Sequence, residues 1–250
     1  MTSHPCTPTI LDLQSRSRQS PTPGLADQPC ALSTFQVLCD FDGTITMRDA
    51  TDAVLEAFAL PAFREWEYRW ERGEITSREC MARQVELIRA DRATLAGFAA
   101  ELPIDEGFIE LDRHCTERGI PLMIVSDGLD LIIEAVLRRH GLSHIPAISN
   151  RLTWNGNGFP SLSSPSASLD CRVGAGTCKC IVAASGGFSL KETVYIGDGR
   201  SDRCISTVAQ RVFAKGELRE WCGLQGIACE PFETLTEVAE HLFRQGEQIE

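Results

Sequence analysis

The sequence contains no apolar run able to span a bilayer. Its longest purely apolar stretches, such as Leu122–Val125, are a fraction of the roughly 20 residues a membrane helix needs. Positive charge is scarce too: 24 Lys and Arg stand against 35 Asp and Glu, the formal net charge is −11, and no basic block occurs. That balance argues against a large nucleic-acid surface and suits an acidic enzyme that uses a cation. No G-x-S-x-G turn is present, which leaves a serine hydrolase without a nucleophile. Gly174-Ala175-Gly176-Thr177-Cys178-Lys179 lacks the G-x4-G-K-[ST] spacing of a nucleotide-cradling loop. Internal repeats are absent. Cysteine, by contrast, is abundant at 11 residues. The number is odd and no segment has the apolar centre of a secretory signal, so free thiols in a reducing, cytoplasmic setting are expected. Cys171, Cys178 and Cys180 are spaced as neither a recognised zinc pattern nor a C-x-x-C redox pair, and His140 and His144 flank a Gly-containing turn.

What is present is ordinary globular usage, 43% hydrophobic and 24% charged over 250 residues, which gives one domain or one domain with a smaller insert. Residues 1–34 are rich in Ser, Thr and Pro, lack a hydrophobic period and read as a disordered leader. Arg16 and Arg18 leave an organellar transit peptide open, while Asp12 and Asp27 weigh against it.

From Phe35 onward short β-branched runs alternate with amphipathic helical stretches, the pattern of an α/β fold with a parallel sheet. Strands are expected at Phe35–Cys39, Pro121–Val125, Ile145–Ser149, Thr193–Ile196, Arg211–Ala214 and Ile227–Glu230. Leu129, Ile132, Ile133, Val136 and Leu137 fall on one helical face, with Gly141 as the expected stop. Leu235, Val238, Ala239 and Leu242 repeat that period in a last helix that should pack on the sheet. Between Asp49 and Glu110 the pattern is helical throughout; Thr76 and Glu79 form a T-x-x-E helix start, and Met81, Val85 and Ile88 follow at helical spacing. Residues 50–110 are therefore expected to form an inserted helical cap on a core of 35–49 and 111–250. Arg151–Trp154 and Phe159–Leu162 flank Asn155-Gly156-Asn157-Gly158, which predicts a hairpin insert over 148–166.

Cys39-Asp40-Phe41-Asp42-Gly43-Thr44-Ile45-Thr46 follows the first strand, at the end where ligand sites of open α/β sheets lie. Two apart in extended chain, Asp40 and Asp42 point the same way. Close carboxylates repel unless a cation or proton lies between them. Gly43 permits a tight turn whose N–H groups face an anion. Taken alone, such a segment reads equally well as a solvated acidic loop. Three further segments follow in order. Ser126-Asp127-Gly128 ends the strand Pro121–Val125 and offers a hydroxyl and N–H groups to phosphate oxygens. Lys179, one of three lysines, precedes a helical stretch from which it can reach a dianion and the first carboxylate, or else sits on the surface. Gly197-Asp198-Gly199-Arg200-Ser201-Asp202 follows another strand with two more acids, hard oxygen donors suited to Mg²⁺.

Together these segments resemble the haloacid dehalogenase superfamily of phosphohydrolases over about 210 residues, from Phe35 to the C-terminus. CDFDGTIT, Asp49, the helical insert, Cys178-Lys179 and GDGRSD resemble in particular the branch that holds phosphoserine phosphatase and the methionine-salvage phosphatase of 2-hydroxy-3-keto-5-methylthiopentenyl-1-phosphate. The resemblance implies a Rossmann-like three-layer core. It further implies that Asp40 is the nucleophile, giving an aspartyl-phosphate, and that Asp42 is the general acid and base. Mg²⁺ would be held by the side chains of Asp40 and Asp198 and the backbone carbonyl of Asp42, with Asp202 beside it. Gly43, Thr44, Ser126, Asp127, Gly128 and Lys179 would bind the phosphate of a small phosphorylated metabolite.

Some positions depart from the pattern. Ser201 stands where phosphoserine enzymes usually carry Asn, and near the position of Gln84 those enzymes have a cap arginine that grips the substrate carboxylate, a charge Gln84 cannot supply. Gln84 and Asp49 are the candidate substrate contacts, Asp49 equally a helix N-terminal acid. Trp66 and Trp70, beside Phe63, form either a lid over substrate or cap core. A phosphotransferase or mutase using the same aspartyl-phosphate, and a non-catalytic binding protein, are the rival functions. Oligomeric state is left open.

Overall fold

A computed structural model of the chain describes residues 35–154 and 159–243. The expected leader, residues 1–34, and the expected hairpin turn, 155–158, lie outside them. In chain order the elements are β1 (Gln36–Cys39), α1 (Ala50–Phe58), α2 (Phe63–Glu71), α3 (Ser77–Val85), α4 (Arg92–Ala100), α5 (Gly107–Glu117), β2 (Leu122–Leu129), α6 (Asp130–Arg139), β3 (Ala147–Trp154) and β4 (Pro160–Ser163). There follow α7 (Lys179–Ser185), β5 (Thr193–Gly197), α8 (Arg203–Ser206), β6 (Arg211–Ala214), α9 (Gly216–Gln225), β7 (Glu230–Pro231) and α10 (Leu235–Phe243). No helix among the described residues is long and apolar enough to cross a membrane.

The strands form one sheet in the order β4-β3-β2-β1-β5-β6-β7, parallel except for β4. Alternation along each strand splits the core into two layers. Val37, Cys39, Ile124, Val194 and Ile196 face one side, where Leu111 of α5, Val136 of α6 and Val238 of α10 cover them. Leu38, Val125 and Tyr195 face the other, against Val182 of α7, Ile205 of α8 and Leu218 of α9. The fold is thus the three-layer α/β arrangement. From central β1 the chain winds outward through β2 and β3 on one side and through β5, β6 and β7 on the other. Such a reversal opens a crevice at the carboxyl ends of the strands.

Helix ends follow the sequence signals. Gly141 adopts φ +74°, and the N–H groups of Gly141 and Leu142 return to the carbonyls of Arg138 and Leu137, which closes α6 with the doubled turn that glycine favours. Thr76 caps α3 by accepting from the Glu79 N–H at 3.1 Å. Four helices, α1 to α4, occupy the stretch where the sequence shows no strand. Val85, Ile88 and Leu95 give them a buried centre.

Three strands differ from expectation. β2 runs on to Leu129 rather than ending at Val125, so Ser126, Asp127 and Gly128 lie inside a strand. Their polar side chains suggested a loop, yet both are buried and hydrogen-bonded, which removes the penalty for polar groups in a core. β3 is continuous from Ala147 to Trp154 and serves as both the expected core strand and the first arm of the hairpin. It pairs antiparallel with β4 through Leu152↔Leu162 and Trp154↔Pro160. The last strand shrinks to Glu230–Pro231, because the Ile227 N–H is taken by the Cys222 carbonyl at the end of α9 (2.9 Å).

Candidate active site

Asp40 is the first residue beyond β1, and its N–H bonds the Ile196 carbonyl at 2.9 Å, which continues the ladder to β5. The carboxylate is buried. One oxygen accepts from the Phe41 N–H at 2.7 Å, and the other lies 2.7 Å from the Lys179 ammonium. Lys179 opens α7 and is itself buried. It also bonds Asp202 and, at 3.0 Å, the Ser201 hydroxyl. Asp202 is the hub of this corner. It accepts from Lys179, from the Tyr195 hydroxyl, and from the N–H groups of Asp198 and Gly199, both at 2.9 Å.

These surroundings set the charges. Burial, then the Asp202 charge, pushes the Asp40 carboxyl well above the usual range despite Lys179. Burial would do the same to Asp202, but Lys179 outweighs it and holds that carboxyl below its ordinary value. Burial would lower Lys179, yet Asp202 and Asp40 hold it above the ordinary lysine value. Asp198 is raised to about 6 by burial and then by the Asp202 charge.

Carboxylate oxygens of Asp40, Asp198 and Asp202 lie within 4.8 Å of one another. Two of these groups are raised with a like charge among the causes, a cost that a cation between them would relieve. An all-oxygen donor set fits Mg²⁺ better than a soft metal. Asp202 has most of its lone pairs engaged, so Asp40 and Asp198 are the freer donors. The Asp42 side chain is not in this group.

Asp42 points elsewhere. One oxygen accepts from the N–H groups of Ala50 and Thr51, each at 3.0 Å, where α1 begins. The other accepts from the Ser126 hydroxyl at 3.1 Å. Burial raises its carboxyl in spite of these donors, which favours a protonated form able to give up a proton. Gly43 has φ +70°, and a Cβ on it would lie 2.5 Å from an Asp198 oxygen. Both the turn and the close approach therefore require glycine. Thr44 donates to Asp198 at 2.6 Å.

The predicted phosphate contacts divide. Ser126, Gly128, Lys179 and Thr44 converge around the carboxylates. The Gly128 N–H is occupied by the Ser126 hydroxyl at 2.8 Å, and the Gly43 N–H by Thr46 at 3.2 Å. Asp127 turns its carboxylate to Ser77, Asn150 and Thr177 instead. A cleft of about 580 Å³ opens over the site. Asp40, Asp42 and Asp198 line it from the strand ends, and Asp49, Trp70 and Gln84 from the helical side. Asp49 lines the cleft and caps α1 by accepting from the Asp52 N–H at 2.8 Å, the helix N-terminal role expected of it. Gln84 is held by the Phe63 carbonyl at 3.4 Å. Trp70 lies under the Arg200 guanidinium, 5.0 Å away, whereas Phe63 is buried as core.

Sequence reasoning missed Thr51, Ser77, Asn150, Thr177 and Lys215. Lys215, whose ammonium reaches the Thr44 carbonyl at 3.3 Å, follows β6 and was findable by the strand-end rule. The rest are polar residues of common type with no local signature. Among the described residues no cysteine joins the carboxylate cluster, and the nine described ones are free thiols.

Known proteins are similar to this chain in sequence and in fold. The family model described as haloacid dehalogenase-like hydrolase matches residues 37–206. A 2-hydroxy-3-keto-5-methylthiopentenyl-1-phosphate phosphatase of Geobacillus thermodenitrificans is 30% identical over 83% of this chain and 95% of its own length. The phosphatase of the same name from Brevibacillus brevis is 29% identical over 74% of this chain and 84% of its own. Among solved structures, a phosphoserine phosphatase studied as a phospho-aspartyl intermediate analogue aligns with TM-score 0.61 at 19% identity, covering 83% of this chain and 98% of that one. A HAD family hydrolase of Salmonella enterica serovar Typhi aligns with TM-score 0.67 at 15% identity over 87% of this chain and 73% of that one.

Proposed function

The chain belongs to the haloacid dehalogenase-like hydrolase family and is a phosphatase, and from that premise we propose that it hydrolyses a small phosphorylated metabolite through an aspartyl-phosphate on Asp40, with Mg²⁺ as cofactor. The observation that carries the proposal is the Asp40 carboxylate at the cleft, paired with buried Lys179 at 2.7 Å and sharing cation reach with Asp198.

The substrate phosphate enters with its dianion toward Lys179 and the Ser126 hydroxyl, which balance charge on the equatorial oxygens. An Asp40 oxygen attacks phosphorus, and the bond from phosphorus to the substrate oxygen breaks. Asp42 gives its proton to the departing alkoxide, then as a carboxylate takes one from water. That water attacks the same phosphorus, freeing Asp40 and inorganic phosphate. Mg²⁺ held by Asp40 and Asp198 would supply positive charge against the phosphoryl oxygens. In this scheme α1 to α4 act as the cap and 35–49 with 111–250 as the core, the β3–β4 hairpin being an appendage of the latter.

For the substrate, the phosphorylated ketose named for the relatives at about 30% identity fits best. Gln84 carries no charge to grip a carboxylate, which disfavours phosphoserine. Purified protein is expected to release inorganic phosphate from p-nitrophenyl phosphate with Mg²⁺ added, and Asp40→Asn is expected to abolish release while the circular dichroism stays native. Undiminished release by that variant would overturn the assignment of the nucleophile. Release matched one to one with substrate consumed separates a hydrolase from a phosphotransferase. A panel that includes the ketose phosphate and phosphoserine then ranks the substrates.

A further inference from the structure

We propose that Asp127 is a positioning residue: its carboxylate ties the helix over the cleft to the segments that hold Asp40 and Asp42, so that the placement of the cap and the geometry of the two catalytic carboxylates are set together. The proposal rests on the phosphatase reading of the cleft.

Asp127 accepts from three separate parts of the chain. One oxygen accepts from the Ser77 hydroxyl at 2.7 Å, the first residue of α3. The other accepts from the Thr177 N–H at 3.0 Å and from the Asn150 amide of β3 at 3.1 Å. Thr177 lies two residues before Lys179, whose ammonium is on Asp40. On the Asp127 strand itself Ser126 donates to Asp42 at 3.1 Å, and Gly128 passes so close that a Cβ on it would meet an Asp42 oxygen at 2.1 Å. The start of α3 is also seated on the loop before Lys179, where the Arg78 N–H bonds the Gly174 carbonyl at 3.1 Å. A Cβ on Gly174 would meet Thr76 at 2.9 Å. A displacement of α3 therefore pulls on the Thr177 and Lys179 segment and on β2 through one carboxylate. The Thr177 N–H and the Asn150 amide share one oxygen and only donate to it, whereas the Ser77 hydroxyl on the other oxygen can donate or accept.

Ser77→Ala removes the link to α3 and changes none of the catalytic side chains themselves. With p-nitrophenyl phosphate and Mg²⁺ it is expected to lower kcat/KM about tenfold, the scale of a lost hydrogen bond to a charged group. Ser77→Thr, which keeps the hydroxyl, is expected to recover most of that loss. Asp127→Ala, which removes all three links, should fall further, and adding Ser77→Ala to it should change kcat/KM by less than about twofold, as coupled residues do. Wild-type kcat/KM in Ser77→Ala, or full additivity in the double variant, would overturn the proposal. The tie also has a readout that needs no turnover. Amide exchange at Thr177 and in the first turn of α3 should quicken in metal-free Ser77→Ala, and unchanged exchange at both places counts against it. If the wild-type protein released no phosphate but exchange responded as expected, the mechanism would fail and the tie would stand.

Discussion

Gly128→Ala adds one methyl group at the point where β2 passes under Asp42. The new carbon would stand 2.1 Å from an Asp42 oxygen, 3.0 Å from the Thr51 hydroxyl and 3.1 Å from that of Ser126. Since Cβ contacts under 3.0 Å essentially do not occur, the Asp42 carboxylate must retreat by about 1 Å, and a misplacement of that size near the chemistry costs about 100-fold. Gly128 is not among the glycines at positive φ, so the backbone accepts alanine, and overpacking should destabilise the fold by only about 1–3 kcal/mol. The expected outcome is native circular dichroism with kcat down about 100-fold. The signature should be specific to Asp42. Nitrophenolate leaves with little help from an acid, so the first step survives better than the hydrolysis of the intermediate, and a burst of product should precede slow turnover in stopped flow. Gly97→Ala serves as the control: nothing lies within 4 Å of its Cβ, and in α4 the change should leave kcat alone while adding up to about 1 kcal/mol of stability. A Gly128→Ala enzyme with kcat within about threefold of wild type would refute both the crowding and the role given to Asp42.

Two other predictions concern charge. Lys179→Met leaves buried Asp40 and Asp202 without their cation and should destabilise the fold by about 3–5 kcal/mol. In the wild type Asp202 lies below its ordinary value, so its stabilisation is present above the unfolded carboxylate range and fades as pH falls. In the variant Asp202 joins Asp40 above that range, so the deficit should grow as pH climbs past about 4. Thermal melts at acidic and at neutral pH check this, and an equal deficit at both would sink it. Asp198 sits at about 6, above its unfolded value, so in the metal-free protein its contribution favours folding only while it is protonated and is lost as pH rises to about 6. Mg²⁺ competes with that proton. Calorimetric affinity should climb with pH through about 6, by up to about tenfold per pH unit for the Asp198 proton displaced, with stabilisation of about 2.7 kcal/mol at a hundredfold excess over Kd. A pH-independent affinity would contradict the shared site.

The fold was legible because β-branched runs and helical faces alternate so regularly from Phe35 on, and Asp40, Asp198 and Lys179 were legible because each sits where a strand or helix boundary points into the crevice. What stayed hidden has a physical cause. Ser126 and Asp127 look like loop residues, and only the donors and acceptors of Asn150, Thr177 and Asp42, distant in sequence, let them lie in a buried strand. The expected strand at Ile227 lost its first residues to the closing turn of α9, where Gly226 takes φ +68°. Asp127 was expected at the phosphate through its backbone N–H and the family resemblance; its carboxylate is engaged elsewhere because three donors from remote segments meet there.

The sheet ends, among the described residues, in β4 on one side and β7 on the other, strands of four and two residues that carry Pro160 and Pro231. Neither rim offers a long row of free N–H groups, and each has one position with none to offer. The central strands are among the most apolar segments in the chain, so an open rim beside them would invite a second copy to dock strand to strand. Short stubs bounded by proline offer little of that template, and the way these margins stop leaves small purchase for strand-to-strand fibre growth.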